Sequence, residues 1–428
     1  MIDKTKIVKM NLSILGVYIR VARINMGISL RGLATMTNIS HTLISNIEMG
    51  KQVPSEETLL EIMNALNLEL NISDDISSSM SYYYTNIFEN LLSYKYDIAK
   101  RYIDELETKE KVFKNSLEVI NYDIITNLYY ALTNSKTTFD TIAIYEEVIN
   151  FLTIEQQQLC YFIKGVIYLN QLMFIDAESN LEKASELRKS EFNILINECL
   201  AIAYINQYKF TNSIALCNRI IDEYEGNSNY IRAMHARLLI SQVYLKIMKF
   251  DEVKALVERV SQFANQFKLQ SLLDECHIIK ANVYFYWDDY SAAIKELDQV
   301  ENQAISRYSY TRFRILLVSK DKSLKDYYNY ITSDEYKNLT SSLKLLIKVL
   351  MKWQNKDYRD EAYVNEIEEL KSLAVKGNDQ ELIGLTYNLL ILYYKEDRKY
   401  KKALEVSEEL LVHKKIHIKF YSIKPNTV

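Results

Sequence analysis

Glycine and proline are nearly missing from this chain: 8 Gly and 2 Pro stand among 428 residues. Turns, hairpin loops and sheet edges depend on those two residue types. Their scarcity excludes a protein built of strands and long loops, and an almost wholly helical one is expected. Cysteine is sparse as well. Cys160, Cys199, Cys217 and Cys276 have no CxxC spacing and all fall in helical patterns. That speaks against a disulfide framework and for buried thiols in a reducing, cytoplasmic setting. No apolar run approaches the ~18 residues of a membrane helix, and no apolar signal segment opens the chain, so no membrane partner is expected.

What the chain does hold is length, tyrosine and an uneven charge. Its size suits two or three domains or one long repeat array. Tyr is abundant at 34, against 14 Phe, and Tyr is an amphipathic filler for half-buried helix faces. The net charge is −4, but residues 1–51 carry seven Lys or Arg and two acids, leaving −9 for the remainder. Basic character gathers at the N-terminus, as phosphate contact requires.

Residues 1–11 are polar and basic. Leu12, Leu15, Ile19 and Ala22 then mark an amphipathic helix with Arg20 and Arg23 at its edge. The stretch Ser29–Lys51 reads as two short helices around a tight turn at Thr37 to Ile39. Ser29 and Ser40 are the caps, and Gly50 is the left-handed stop. Leu33, Ala34, Ile39, Ile44 and Ile47 close a small core, leaving His41, Thr42, Ser45 and Asn46 outward. Another helix follows Pro54, with Leu59, Leu60, Ile62, Met63 and Leu66 inward.

This local pattern resembles the helix-turn-helix domain of phage-repressor and XRE type. The matching pieces are Leu15-Gly16, Ile19-Arg20, Ser29, Leu33-Ala34, Ile39-Ser40, Ile44-Ser45, Ile47-Glu48, Gly50-Lys51 and Pro54-Ser55. By matching position the resemblance implies base contacts from His41, Thr42 and Asn46, with Leu43 against a thymine methyl and Ser45 on the same exposed face. Arg20, Thr37, Ser40 and Lys51 would hold phosphates. The family usually places Gln where this chain has Leu30; Arg31 is the residue that would replace its backbone contact.

Residues 71–81 are polar and acidic and read as a linker, or the start of a linker helix. Beyond them a frame recurs. Gly165, Tyr168, Phe174, Ala177, Leu181 and Ala184 are matched by Ala201, Tyr204, Phe210, Ser213, Cys217 and Ile220. The frame returns from Ser241 and from Ala281, and a copy with one extra residue runs from Leu390 through Tyr393 and Tyr400. A small residue, Tyr three later, then an aromatic and further small positions resemble the tetratricopeptide repeat. The expected fold is therefore all-α. A lambda-repressor-like helix-turn-helix domain (1–70) and the linker precede a right-handed tetratricopeptide superhelix (82–417) and a tail (418–428).

Enzymatic signals are weak. There is no Gly-rich phosphate loop. His413 and His417 stand four apart but have Lys neighbours and no acidic partner, and adjacent Cys276 and His277 point about 100° apart on a helix. No catalytic residue, metal or cofactor is expected. In a tetratricopeptide array the positions one and five after the small residue face the concave groove. Here they give Asn170, Asn206, Gln242 and Asn282, with Asn388 a looser fit; such amides bond both the N–H and C=O of an extended peptide. Phe162, Tyr286 and Tyr394 are candidate pockets for apolar side chains.

A helix-turn-helix followed by such an array resembles the RRNPP family of peptide-responsive regulators. The resemblance implies a cytoplasmic transcription factor that dimerises through its helical domain, binds operator DNA and takes a short signalling peptide in its groove. The rival readings are a regulator whose array binds a protein instead, and Rap-like action on a response regulator, against which the DNA-binding head argues.

Overall fold

The computed structural model describes residues 12–71, 73–133, 145–301, 341–355 and 361–413, with Thr311 and Ile315. Among them helices dominate, and the one β-type pairing is an isolated bridge between Asn71 and Ser116. The described chain divides into two units, residues 1–167 with 180–196 and residues 168–179 with 197–428.

The first unit begins with four helices: α1 (Leu12–Asn25), α2 (Leu30–Thr37), α3 (His41–Glu48) and α4 (Glu56–Ala65). Both expected caps are in place. Ser29 Oγ accepts the Gly32 N–H at 3.0 Å, and Ser40 Oγ accepts the Leu43 N–H at 3.3 Å. Asn38 makes the turn in the left-handed region (φ 55°), and Gly50 (φ 65°) stops the chain after α3. Leu15, Ile19, Leu33, Ile44, Ile47, Leu59 and Ile62 form the core. Leu60, expected inward, points to solvent because Leu59, Ile62 and Met63 already occupy the buried stripe of α4.

Helices α5 (Asp74–Leu92), α6 (Tyr96–Thr108), α7 (Glu110–Lys114) and α8 (Val119–Thr133) follow. The segment read as a linker, or the start of a linker helix, is mostly helix. Ser73 Oγ accepts the Asp75 N–H, and Asp74 and Asp75 lie at the positive end of the helix dipole. The head is packed onto α7–α8: Leu117 and Val119 join its core, and Asn71 N–H donates to Asn115 O at 2.7 Å. A 3-10 turn (Ile149–Phe151) and α9 (Ile154–Asn170) come next.

The repeat frame maps onto helical hairpins. α9 pairs with α10 (Phe174–Leu187), α11 (Phe192–Asn206) with α12 (Phe210–Gly226), and α13 (Tyr230–Lys246) with α14 (Phe250–Phe267). α15 (Gln270–Tyr286) pairs with α16 (Tyr290–Leu297). Then come α17 (Ser341–Asn355), α18 (Glu361–Gly377), α19 (Gln380–Glu396) and α20 (Tyr400–His413). The second unit holds residues 168–179, the greater part of α11 and the helices that follow it.

One device ends the first helix of each repeat. The carbonyl of Tyr168, Tyr204, Tyr244 or Tyr284 accepts the N–H five residues on, at 2.9–3.0 Å. The residue before that N–H, respectively Leu172, Tyr208, Met248 or Asp288, has a φ near 60°. This is the Schellman ending, built without glycine. In the last copy the acceptor is Tyr394 and the left-handed residue Arg398, so the extra residue of that copy lies before the turn.

Candidate functional site

In the head, α3 is held by backbone contact. A Cβ on Gly16 would lie 2.5 Å from Glu48 O, so glycine lets α1 cross α3 directly. Beneath the crossing, Arg23 Nε and Nη2 donate to the Glu48 carboxylate at 2.6 and 2.8 Å, and Nη1 donates to Ile28 O. Both partners are buried. This two-pronged pair ties α1 to α3 and to the start of the turn leading into α2. Sequence reading had left Arg23 at a helix edge.

On this base α3 exposes His41 and Thr42 to solvent, with Ser45 and Asn46 half-buried beside them. Arg31 and Lys51 are exposed. Three of the residues expected at the DNA also have partners inside the protein. The Thr37 hydroxyl is buried and donates to Leu33 O at 2.8 Å, so it serves the end of α2. Leu43 is half-buried against the head core. The Arg20 guanidinium lies 4.7 Å above the Phe151 ring. It braces the head on the 3-10 turn, a contact that sequence spacing cannot reveal. Ser40 is exposed and caps α3.

The groove positions belong to the second unit, except Phe162. That side chain is wholly buried on α9. The Asn206 carboxamide donates to Ile202 O at 2.9 Å on its own helix, and Asn282 donates to Ile278 O at 2.8 Å and to Thr311 Oγ1 at 3.3 Å. Asn170 and Asn388 are half-buried on α9 and α19. Tyr286 packs 6.0 Å from Phe250, and Lys402 lies over Tyr394 at 5.6 Å.

One position the frame itself indicates was missed. Lys246 follows the small residue Ser241 by five, and its ammonium donates to Glu381 Oε2 at 2.9 Å. Burial alone would lower its pKa, but the Glu381 carboxylate, with Tyr286 and Asp379 nearby, leaves it raised.

The thiols are placed for packing. All four are buried, and burial pushes Cys160, Cys199 and Cys217 up to about 12 and Cys276 to about 11. Protonated thiols of this kind are poor nucleophiles. His277 Nδ1 is paired with Glu296 at 2.7 Å. His413 lies 5.8 Å from the Tyr387 ring, while His417 and the tail lie outside the described residues. Among the described residues no helix is long and apolar enough to cross a membrane.

Comparison with known proteins bears on both parts. A helix-turn-helix family model (HTH_3) matches residues 19–72. The fold of the chain is similar to the crystal structure of a Rap protein complexed with Competence and Sporulation Factor. The TM-score is 0.61 and the identity 13%, covering 79% of this chain and 98% of that one. NprR in complex with its cognate peptide NprX matches at TM-score 0.49 and 16% identity, over 78% of this chain and 90% of that one. PlcR of Bacillus thuringiensis, with the peptide PapR7 and DNA, matches at 0.38 and 14%, over 60% and 96%. No curated protein matches the sequence. The class is that of helix-turn-helix proteins with a helical-repeat superhelix of Rap type.

Proposed function

We propose that this protein is a cytoplasmic transcriptional regulator, not an enzyme, whose helical array takes a short signalling peptide and thereby changes operator binding. The observation that carries the reading is the exposed polar face of α3, His41 and Thr42 foremost, on a head braced by the Arg23–Glu48 pair. Exposed short polar side chains on a rigidly held second helix suit a major groove. Asn46 and Ser45 complete that face, and Arg31 and Lys51 supply phosphate contacts. Short side chains make few bidentate base contacts, so DNA shape contributes to specificity.

The peptide runs along the second unit. Asn206 and Asn282 exchange their bonds to their own helices for bonds to its backbone, beside Asn170, Gln242 and Asn388. Tyr286 and Tyr394 line its apolar side chains. The ligand favours one curvature of the array over another and so resets the spacing of two heads on half-sites ~34 Å apart. A marked shift needs a differential affinity of a few kcal/mol.

A homodimer fits the last helix. α20 exposes Tyr400, Leu404, Leu411 and Val412 at 60–83%, although a repeat array that ends in solvent needs a polar outer face. Leu404→Glu with Leu411→Glu is expected to convert a dimer to a monomer in light scattering. Gel shifts on the upstream promoter, with and without peptides shown to bind by titration calorimetry, test the whole reading. Unchanged DNA binding in the presence of every bound peptide would sink it. A second reading, in which the array binds a protein, would then stand on the same apolar face of α20.

A further inference from the structure

The third repeat pair differs from its neighbours at the two groove-facing positions. Gln242 and Lys246 stand four apart on α13, on one face. The Lys246 side chain is 14% exposed, and its ammonium is held between the Glu381 carboxylate and the Tyr208 ring, 5.4 Å away. One turn earlier, Gln242 Nε2 is buried and has no hydrogen-bond partner among the described residues. Buried N–H donors are nearly always paired, so this donor points to an acceptor brought from outside the protein.

Glu381 is the second unusual element. It arrives from 135 residues away, behind the turn between α18 and α19. That turn is seated on the turns of earlier hairpins. Asn378 Nδ2 donates to Gln207 Oε1 at 3.1 Å, and a Cβ on Gly377 would lie 2.0 Å from Leu172 O. The neighbouring acid, Asp379, is occupied in capping α19 through the N–H groups of Glu381 and Leu382. Among the described residues Lys246 therefore takes its direct carboxylate partner from a distant helix rather than from its own repeat.

We propose that Lys246 and Gln242 form a carboxylate-binding subsite of the peptide groove, which Glu381 occupies until a ligand carboxylate replaces it. The proposal rests on the peptide reading above. A carboxylate accepts two donors at once, so the ligand would bond the ammonium and the Gln242 amide together, whereas Glu381 satisfies the ammonium alone. A neutral ligand that displaced Glu381 would leave a buried cation unpaired, which is strongly unfavourable. Selection for a negative ligand group thus comes from the penalty on the wrong ligand as much as from attraction to the right one. Displacement of Glu381 also releases one of the ties on the 377–381 turn, which joins ligand entry to the arrangement of the hairpins.

The carboxylate is either a peptide C-terminus or an Asp or Glu side chain. The test uses the full chain and four pools of short random peptides, with a free acid or a carboxamide end, each made with or without Asp and Glu. Retained peptides are read by mass spectrometry. Pools bearing a carboxylate are expected to be retained about tenfold over the carboxamide pool without Asp and Glu, the size of a buried charge-assisted hydrogen bond. Lys246→Met should remove that preference, Lys246→Arg should keep it, and Glu381→Gln, a near-isosteric change, should raise retention of the carboxylate pools. Enrichment of the two free-acid pools alone assigns the terminus, and enrichment of the two pools containing Asp and Glu alone assigns a side chain; both support the subsite. Equal retention of all pools by the wild type and by Glu381→Gln overturns the subsite and leaves the peptide reading standing. Retention of none overturns both.

Discussion

Arg23 shows what a single buried charge does in the head. Its three hydrogen bonds join α1, α3 and Ile28, and Glu48 is 1% exposed. Arg23→Met would leave that carboxylate uncompensated, and a loss of about 3–5 kcal/mol is expected in denaturant unfolding. Adding Glu48→Leu should restore much of it, because the isolated charge is then gone. Asp379 titrates unusually. Burial raises its carboxyl to about 6, against the hydrogen bond from Leu382 and the Lys246 charge. A carboxyl raised on folding contributes most below its unfolded pKa and loses that contribution as pH rises through about 6. Asp379→Asn keeps the cap. Its melting temperature relative to wild type should therefore climb between pH 4 and pH 7, with a free-energy span on the order of 3 kcal/mol. A flat difference across that range would mean the carboxyl titrates normally. The left-handed Arg398 is exposed, so Arg398→Gly should raise stability by roughly 1 kcal/mol by relieving backbone strain.

At the scale of the element, α3 separates two kinds of basic residue. Lys51 is exposed just beyond α3, whereas the Arg20 guanidinium faces Phe151. In DNA titrations over a range of salt, Lys51→Ala should lower the slope of log affinity by about 1, and Arg20→Ala should leave it nearly unchanged. The same contrast shows what was legible in the sequence. Caps at Ser29 and Ser40, the stop at Gly50 and the repeat frame are local signals, and each is met. Arg20 and Arg23 depend on partners that only packing supplies. Phe162 lies on a helix that is apolar nearly all round, so no stripe distinguishes core from groove. Lys246 was legible by position, but its role required Glu381, which no local pattern links to it.

For the molecule as a whole, helical periodicity and the small-aromatic frame were enough to specify an all-α array behind a DNA-binding head. They could not specify where a late hairpin returns to an early one. The turn at Gly377–Asp379 does so in the second unit, meeting Leu172, Gln207 and, through Glu381, Lys246. An open solenoid touches only its neighbours, so it melts from its ends one repeat at a time. A chain that loops back upon itself loses that freedom. Opening the α18–α19 hairpin also removes the packing beneath the turns at Leu172 and Gln207 and the tie to Lys246. The second unit should accordingly behave as a ring with a seam, giving way together rather than fraying, with the Glu381 tie as the place where the seam opens first.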